Sequence, residues 1–341
     1  MPGQETVDRT RRARVLIVDA MGGASGAEVL ELLGRAGCDV AVCQERGEDE
    51  VIAAAREVDG LIMTGSISRR LIGSLARCQV IARSSIGMDT VDGVDLATEK
   101  GIVLCNMPWV IEEEVADHTL ALLLACARRV PLQDRAVRTG AWAGSGSTGT
   151  GGMPRFFRAT LGLVGLGRIG QAVARRARGF EMRILAVDPI VGEETFRALG
   201  VQRATLAEVL QESDYVSLHT PLEGGTRHLI GAPELRLMKP TAILVNTSRG
   251  PVVDELALVD ALKSGGLAAA GLDVMEEEPI GAEHPLCRLE NVVLTPHSAS
   301  RSVWTDQMRH LRPAEEVAAV LNGHRPRAVW NPEVLAKLDL R

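Results

Sequence analysis

The chain has 341 residues, 38 Lys+Arg against 44 Asp+Glu and a net charge of −6, a length that suits about two domains, each with its own core. The balance is mildly acidic, with no basic block beyond Arg11, Arg12 and Arg14, which speaks against a nucleic-acid partner. The apolar runs 15–18 and 120–127 are too short for a signal-peptide core or a bilayer span, and the six cysteines form no CxxC pair; a cytoplasmic protein with a small-molecule ligand, no membrane contact and no metal is expected.

In chain order, residues 1–13 are expected to be disordered. Short β-type runs then alternate with helix-like segments: RVLIVD at 14, CDVAVC at 38, GLIMTG at 60, QVIARS at 79 and GIVLCN at 101. This is the rhythm of parallel strands joined by crossover helices. The segment 108–131 has acids in its first turn, arginines in its last and Pro131 as a stop, the favourable charge order for a helix. The apolar face of the helix within it, 112–129, is a candidate homodimer seam. GAWAGSGSTGTGG, 140–152, reads as a mobile surface loop. The strand rhythm restarts with TLGLVG at 160, MRILAVD at 182, YVSLHTP at 215, AILVNTS at 242, AAAGLDV at 268 and NVVLTPH at 291, and a final helical stretch begins near 301. The pattern predicts an α/β protein of two doubly wound parallel-sheet domains. One, flavodoxin-like, comprises 14–107 with 298–341; the other, a Rossmann domain, comprises 108–297.

Gly165, Gly167 and Gly170 form G-x-G-x-x-G directly after a strand and at the start of a helix, and Asp188 ends the next strand. That context makes the motif specific. Gly165 permits the tight turn, Gly167 lets backbone amides approach a pyrophosphate, and Gly170 allows close helix–sheet packing. Asp188 can accept hydrogen bonds from both ribose hydroxyls and repels a 2′-phosphate, so NAD is the expected cofactor. The glycines at 22, 23 and 26 lack that spacing and read as a loop of the other domain.

The chemistry must come from other strand ends. LVNTSRG delivers Arg249, GLDVMEEEP delivers Asp273 and the acids 276–278, and VVLTPHSAS delivers His297. Hydride transfer to a carbonyl needs an acid for the oxygen and a cation for a neighbouring carboxylate. A histidine paired with a carboxylate suits the first task, and arginine's planar fork the second. His219, at another strand end, is a candidate to line the cofactor pocket, and Arg69 and Arg70 are candidates to read a substrate phosphate.

LGLVGLGRIGQAVA, LVNTSRGPVVDELALVDALKSG, AGLDVMEEEP and NVVLTPHSA, in this order, give the chain a resemblance to the D-isomer-specific 2-hydroxyacid dehydrogenases from about 14 to 335. GLGRIGQAVA and EEEVADHTLALLL resemble the branch of C-terminal-binding corepressors and their bacterial dehydrogenase relatives in particular. The resemblance implies that Arg249 binds the substrate carboxylate and carbonyl, that His297 gives and takes the proton, and that Glu278 orients and charges it. It implies NAD contacts at Arg168, Ile169, Asp188, Thr220, Pro221, Thr226, Thr247 and Asp273, with His219 and Ser248 beside them. It makes the N-terminal unit the substrate domain, with Ser85, Ile86 and Gly87 of the loop RSSIGMD offering amides to the carboxylate. The expected activity is NAD-dependent interconversion of a small D-2-hydroxy acid and its 2-keto acid by a homodimer. An NAD(H)-sensing, corepressor-like binding protein and phosphite-type oxidation on the same scaffold are the alternatives.

Overall fold

A computed structural model describes residues 11–18, 24–44, 47–142 and 153–341. The chain divides into two compact units, one reaching to Val110 and resuming at Ser302–Arg341, the other Ile111–Arg301.

The first unit carries β1 (Ala13–Val18), β2 (Cys38–Cys43), β3 (Gly60–Met63), β4 (Val80–Arg83) and β5 (Val103–Cys105) in the order β2-β1-β3-β4-β5, all parallel. Every residue of β3 and β4 is buried, as strands covered by helices on both faces require; their sequences are accordingly apolar runs rather than alternations. One core lies on each face, around Leu61, Ile81 and Leu104 on one side and Ile17, Val80 and Val317 on the other. The expectation of disorder for 1–13 holds no place at its end: Arg11 pairs with Asp59 and Ala13 opens β1. Residues 1–10 lie outside the described set, as does the 140–152 loop from residue 143 to 152.

The second unit carries β6 (Thr160–Val164), β7 (Arg183–Val187), β8 (Gln202–Arg203), β9 (Tyr215–Leu218), β10 (Ile243–Asn246), β11 (Ala269–Leu272) and β12 (Val292–Leu294). Their order is β12-β11-β10-β9-β6-β7-β8, again all parallel. The order reverses between β6 and β9, the switch point where open α/β sheets bind ligands beyond their carboxyl ends. Every strand foreseen in the sequence is present. The added one, β8, is two exposed residues without apolar patterning.

The helix Glu112–Ala127 packs on β10, β11 and the helix Arg168–Ala177. Val115, Ala116, Leu120, Leu122, Leu123 and Cys126 are buried there, and a Cβ on Gly271 of β11 would lie 3.0 Å from Leu122 Cβ. This overturns the apolar face as a dimer seam, because its own sheet covers it. Pro131 also changes role. Arg129 turns left-handed at φ 51°, and Pro131 stands in the first turn of a further helix, Val130–Arg138, where its missing N–H costs nothing.

Candidate active site

The glycine turn stands at the switch point and is shaped by missing side chains. Gly165 has φ +97°, and a Cβ there would lie 2.6 Å from the carbonyl oxygen of His219, at the end of β9. A Cβ on Gly170 would lie 2.4 Å from the Gly165 carbonyl oxygen, whereas one on Gly167 meets nothing within 4 Å. The turn is thus closed against β9 on one side and open at Gly167. There the helix Arg168–Ala177 begins with no side-chain cap on its first turn, leaving amide donors for an anion. Arg168 is exposed and Ile169 half-buried at the same end.

Asp188 closes the turn from β7. Its carboxylate accepts from Leu166 N at 2.7 Å, Ile190 N at 2.8 Å and Val191 N at 2.9 Å. Arg203 donates to the Asp188 and Val191 carbonyls and to Glu193, so its cation is spent within this loop.

Three observations test the fit of a dinucleotide. The Gly167 side is open. Thr220 Oγ1 is buried with no partner among the described residues. Thr119 Oγ1 gives its proton to the Val115 carbonyl and lies 3.0 Å from Thr247 Oγ1, so Thr247 is the donor of that pair and presents lone pairs to any amide or hydroxyl arriving from outside. The residues fit NAD. Thr226 is instead taken up by its own loop, donating to Pro221 O and accepting from Glu223 N. Burial pushes the His219 imidazole down to about 3, and its Nε2 lies 2.9 Å from Ser217 Oγ. It is therefore neutral and cannot be the proton donor.

Arg249 follows β10 on a turn that Asn246 clamps. Asn246, 1% exposed, accepts from Ser248 N and Oγ and donates to the Arg249 carbonyl. The sequence reading missed this residue; its signal is an Asx side chain at a strand end, two positions before a serine. Arg249 Nη1 donates to Ser248 O at 2.8 Å. A Cβ on Gly250 would lie 1.8 Å from Met275 O and 2.5 Å from Glu276 N. This contact seats the arginine turn directly against the segment that carries the acids.

Those acids separate by partner. Glu276 pairs with His228, and its N–H donates to Glu255, which also holds His284 at 2.9 Å. Glu278 accepts from Met275 N at 3.0 Å through Oε1 and holds His297 Nδ1 at 2.7 Å through Oε2. His297 Nδ1 is thereby the donor nitrogen, and Nε2 has no partner among the described residues. His297 adopts φ +50°, a sparsely populated region for a non-glycine residue. Asp273 holds it there. The Asp273 carbonyl accepts from His297 N at 2.8 Å, and its carboxylate, 1% exposed, accepts from Ser298 N, Ala299 N and Thr295 Oγ1.

In the first unit, the loop after β4 is pinned by its carbonyls. Ser85 O accepts from Met107 N, Ile86 O from Asn106 Nδ2 and Gly87 O from Arg83 Nη1. Among the described residues the N–H groups of Ser85, Ile86 and Gly87 have no backbone acceptor. Arg69 grips Asp95 with both terminal nitrogens, and Arg70 pairs with Glu48 and Asp49; both candidate phosphate readers are committed to carboxylates. Among the described residues no group of three or more His, Cys, Asp or Glu could hold a metal ion, and no helix is long and apolar enough to cross a membrane.

Residues 120–299 match the family model for the NAD-binding domain of D-isomer-specific 2-hydroxyacid dehydrogenases. The chain is similar to a glyoxylate reductase of Korarchaeum cryptofilum, 46% identical over 287 residues that cover 84% of this chain and 86% of the relative. It is also similar to a D-3-phosphoglycerate dehydrogenase of Methanocaldococcus jannaschii, 35% identical over 321 residues, 93% of this chain and 59% of that protein. Among solved structures, a glyoxylate reductase from Paecilomyes thermophila has a TM-score of 0.85 at 29% identity, covering 93% of this chain and 98% of that one.

Proposed function

We propose that this chain, which belongs to the D-isomer-specific 2-hydroxyacid dehydrogenase family and is an NAD-dependent enzyme of it, reduces glyoxylate or a similarly short 2-keto acid without a phosphate. The observation that carries the reading is the His297–Glu278 pair at 2.7 Å, with Arg249 seated against the same segment through Gly250. The relatives named glyoxylate reductases support the substrate. The capture of Arg69 and Arg70 by Asp95, Glu48 and Asp49 weighs against a phosphate-bearing acid.

NADH, when bound, supplies the hydride for C2. The Gly165–Gly170 turn, Asp188, Thr220 and Thr247 hold it, with Arg168, Ile169 and Ser248 at its margins. Arg249 grips the carboxylate and polarises the keto oxygen, a task that its planar fork meets better than lysine's point charge. Protonated His297 donates the Nε2 proton to that oxygen as C2 gains its hydrogen, leaving a 2-hydroxy acid and a neutral imidazole; Glu278 stabilises the imidazolium beforehand. Oxidation reverses the proton's path and needs the bare Nε2. Ser85, Ile86 and Gly87 are assigned to the substrate carboxylate because their carbonyls are tied and their amides are not. Asp188 favours NAD over NADP. A homodimer in the cytoplasm stays part of this reading, resting on the resemblance and no longer on the 112–127 helix.

The test is NADH consumption with glyoxylate, hydroxypyruvate, pyruvate and 3-phosphohydroxypyruvate. Glyoxylate and hydroxypyruvate should show the highest kcat/KM. A preference for the phosphorylated acid would overturn the substrate class, and no turnover of any of the four would overturn the enzyme reading.

A further inference from the structure

We propose that His118 is a positioning residue for His297, acting through Thr295 and Asp273 from the helix Glu112–Ala127. The inference rests on the assignment of His297 as the acid–base residue made above.

His118 Nε2 lies 2.9 Å from Thr295 Oγ1 and 3.6 Å from Asp273 Oδ1. Thr295 Oγ1 lies 2.6 Å from Asp273 Oδ1 and donates its one proton to that carboxylate. His118 must therefore supply the hydrogen of its own bond to Thr295, which fixes its Nε2–H tautomer. The polarity of the chain is set from end to end: His118 to Thr295, Thr295 to Asp273. Asp273 in turn receives Ser298 N and Ala299 N, while its carbonyl receives His297 N.

These bonds gather on five consecutive residues, 295–299, at whose centre His297 stands at φ +50°. A left-handed conformation at a non-glycine residue persists only where the surroundings over-determine it. Asp273 belongs to the segment after β11, where its N–H donates to Asn246 O at the end of β10 at 3.0 Å, and so anchors the loop from within the sheet. His118 comes from a helix whose neighbour Thr119 is 0% exposed and bonded to Thr247, and whose turns pack against β10 and β11. It thus ties the histidine loop to the core of the sheet. An apolar side chain at 118 would fill space but remove the donor to Thr295 Oγ1, so that the hydroxyl loses its tie to the helix and keeps only its bond to Asp273. The bland alternative is a histidine that merely satisfies its own ring.

The test compares His118→Leu, which removes the donor, with His118→Gln, which keeps an N–H at a similar reach, each in wild-type and His297→Ala backgrounds. Measured are kcat and KM with glyoxylate, the Kd for NADH, the melting temperature and the downfield proton resonance of His297 Nδ1–H, identified by its loss in His297→Ala. For His118→Leu, kcat should fall about tenfold or more, as small misplacements of a reacting group do, with the NADH Kd changed less than twofold. His118→Gln should regain most of the rate. In the His297→Ala background His118→Leu should lose nothing further, the non-additivity of groups acting as one. The resonance should broaden or shift in His118→Leu and return in His118→Gln. An equal loss of rate in both backgrounds, an unmoved resonance, or a glutamine variant as slow as the leucine variant would each overturn the inference. If the wild type turns over no keto acid but the resonance still moves, the positioning role stands and the proposed function fails.

Discussion

The cofactor turn and the catalytic strand ends lie on the same edge of one sheet, yet they are built in opposite ways. Around Gly165, Gly167 and Gly170 the site consists of backbone, and what matters is which side chains are missing. Around Arg249, Glu278 and His297 it consists of side chains held by a network: the Gly250 turn lies against Met275 O and His297 N donates to Asp273 O, both across strand ends, while Glu278 accepts from Met275 N within its own segment. A dinucleotide's phosphates need many weak donors that a helix end supplies without further help. Proton transfer needs one group at one place, and placing one group takes a network.

The largest effect expected from this contrast is on chemistry alone. His297→Ala should lower kcat by roughly 10²- to 10⁴-fold, the usual range for a general acid, while the NADH Kd stays within about twofold, since no part of the glycine turn depends on that side chain. Fluorescence titration beside steady-state kinetics measures both. A parallel loss of NADH affinity would show that the two regions are not separable.

Two glycine substitutions sharpen the contrast. Gly167→Ala adds a methyl that meets nothing within 4 Å. Its melting temperature should stay near wild type and its NADH Kd should rise about tenfold, because the open space is where the pyrophosphate approaches. Gly250→Ala adds one that would stand 1.8 Å from Met275 O. Relieving that overlap costs about 1–3 kcal/mol or more and moves the Arg249 turn away from the segment at Met275 and Glu276, so stability and kcat/KM should fall together. Thermal melts and NADH titrations of the two variants give the answer; similar profiles would dissolve the distinction.

This difference also decides what could be read from the chain. The glycine turn, Asp188 and the principal strands are local patterns of apolar runs and spacings, so they stood in the sequence. The necessity of Gly250 and the link from His118 are contacts between segments far apart, and no periodicity announces them; the clamp at Asn246 is local, an Asx side chain two positions before a serine, and was legible but not read. Asp273 was assigned to the cofactor through resemblance, while its 1% exposure and its bonds to the 295–299 loop are tertiary facts. The apolar face of the 112–127 helix misled for the same reason: amphipathicity says that a face will be covered, not by what. β8 escaped because two polar residues at a sheet edge carry no pattern, and the 130–138 helix because a proline that ends one helix can begin the next.

A smaller effect is expected at Asp188. Asp188→Ala should raise the NADH Kd about tenfold, the equivalent of one charge-assisted hydrogen bond, with NADPH affected less, so the preference narrows. It should not reverse. Arg203, the near cation, is already tied to this loop through all three of its nitrogens, donating to the Asp188 and Val191 carbonyls and to Glu193, so its charge is paired and its guanidinium is not turned toward a 2′-phosphate without breaking those bonds. Paired titrations with the two cofactors decide the point, and a reversed preference would mean that Arg203 is released when the carboxylate is removed.

The finest distinction lies between the two histidines of the sheet edge, one in each region. His219 is held neutral by burial, its imidazole pushed down to about 3, so His219→Gln should leave the pH dependence of kcat unchanged above pH 4. His297 works against a carboxylate, and Glu278→Gln replaces that charge with a neutral amide of the same shape, which stabilises imidazolium less. Reduction draws on the protonated ring. It is present at low pH and disappears as the ring loses its proton, so in the variant this loss should begin at lower pH than in wild type. Oxidation draws on the neutral ring, and its rising limb should move the same way, the variant retaining oxidation at a pH where wild type has lost it. Both limbs shift down together only if one group serves both directions. Rate profiles for glyoxylate reduction and glycolate oxidation, taken on both variants, test this. If the limbs of Glu278→Gln coincide with those of wild type, the carboxylate at 2.7 Å orients the ring without setting its charge, and the catalytic edge is held by geometry alone, as the glycine turn is.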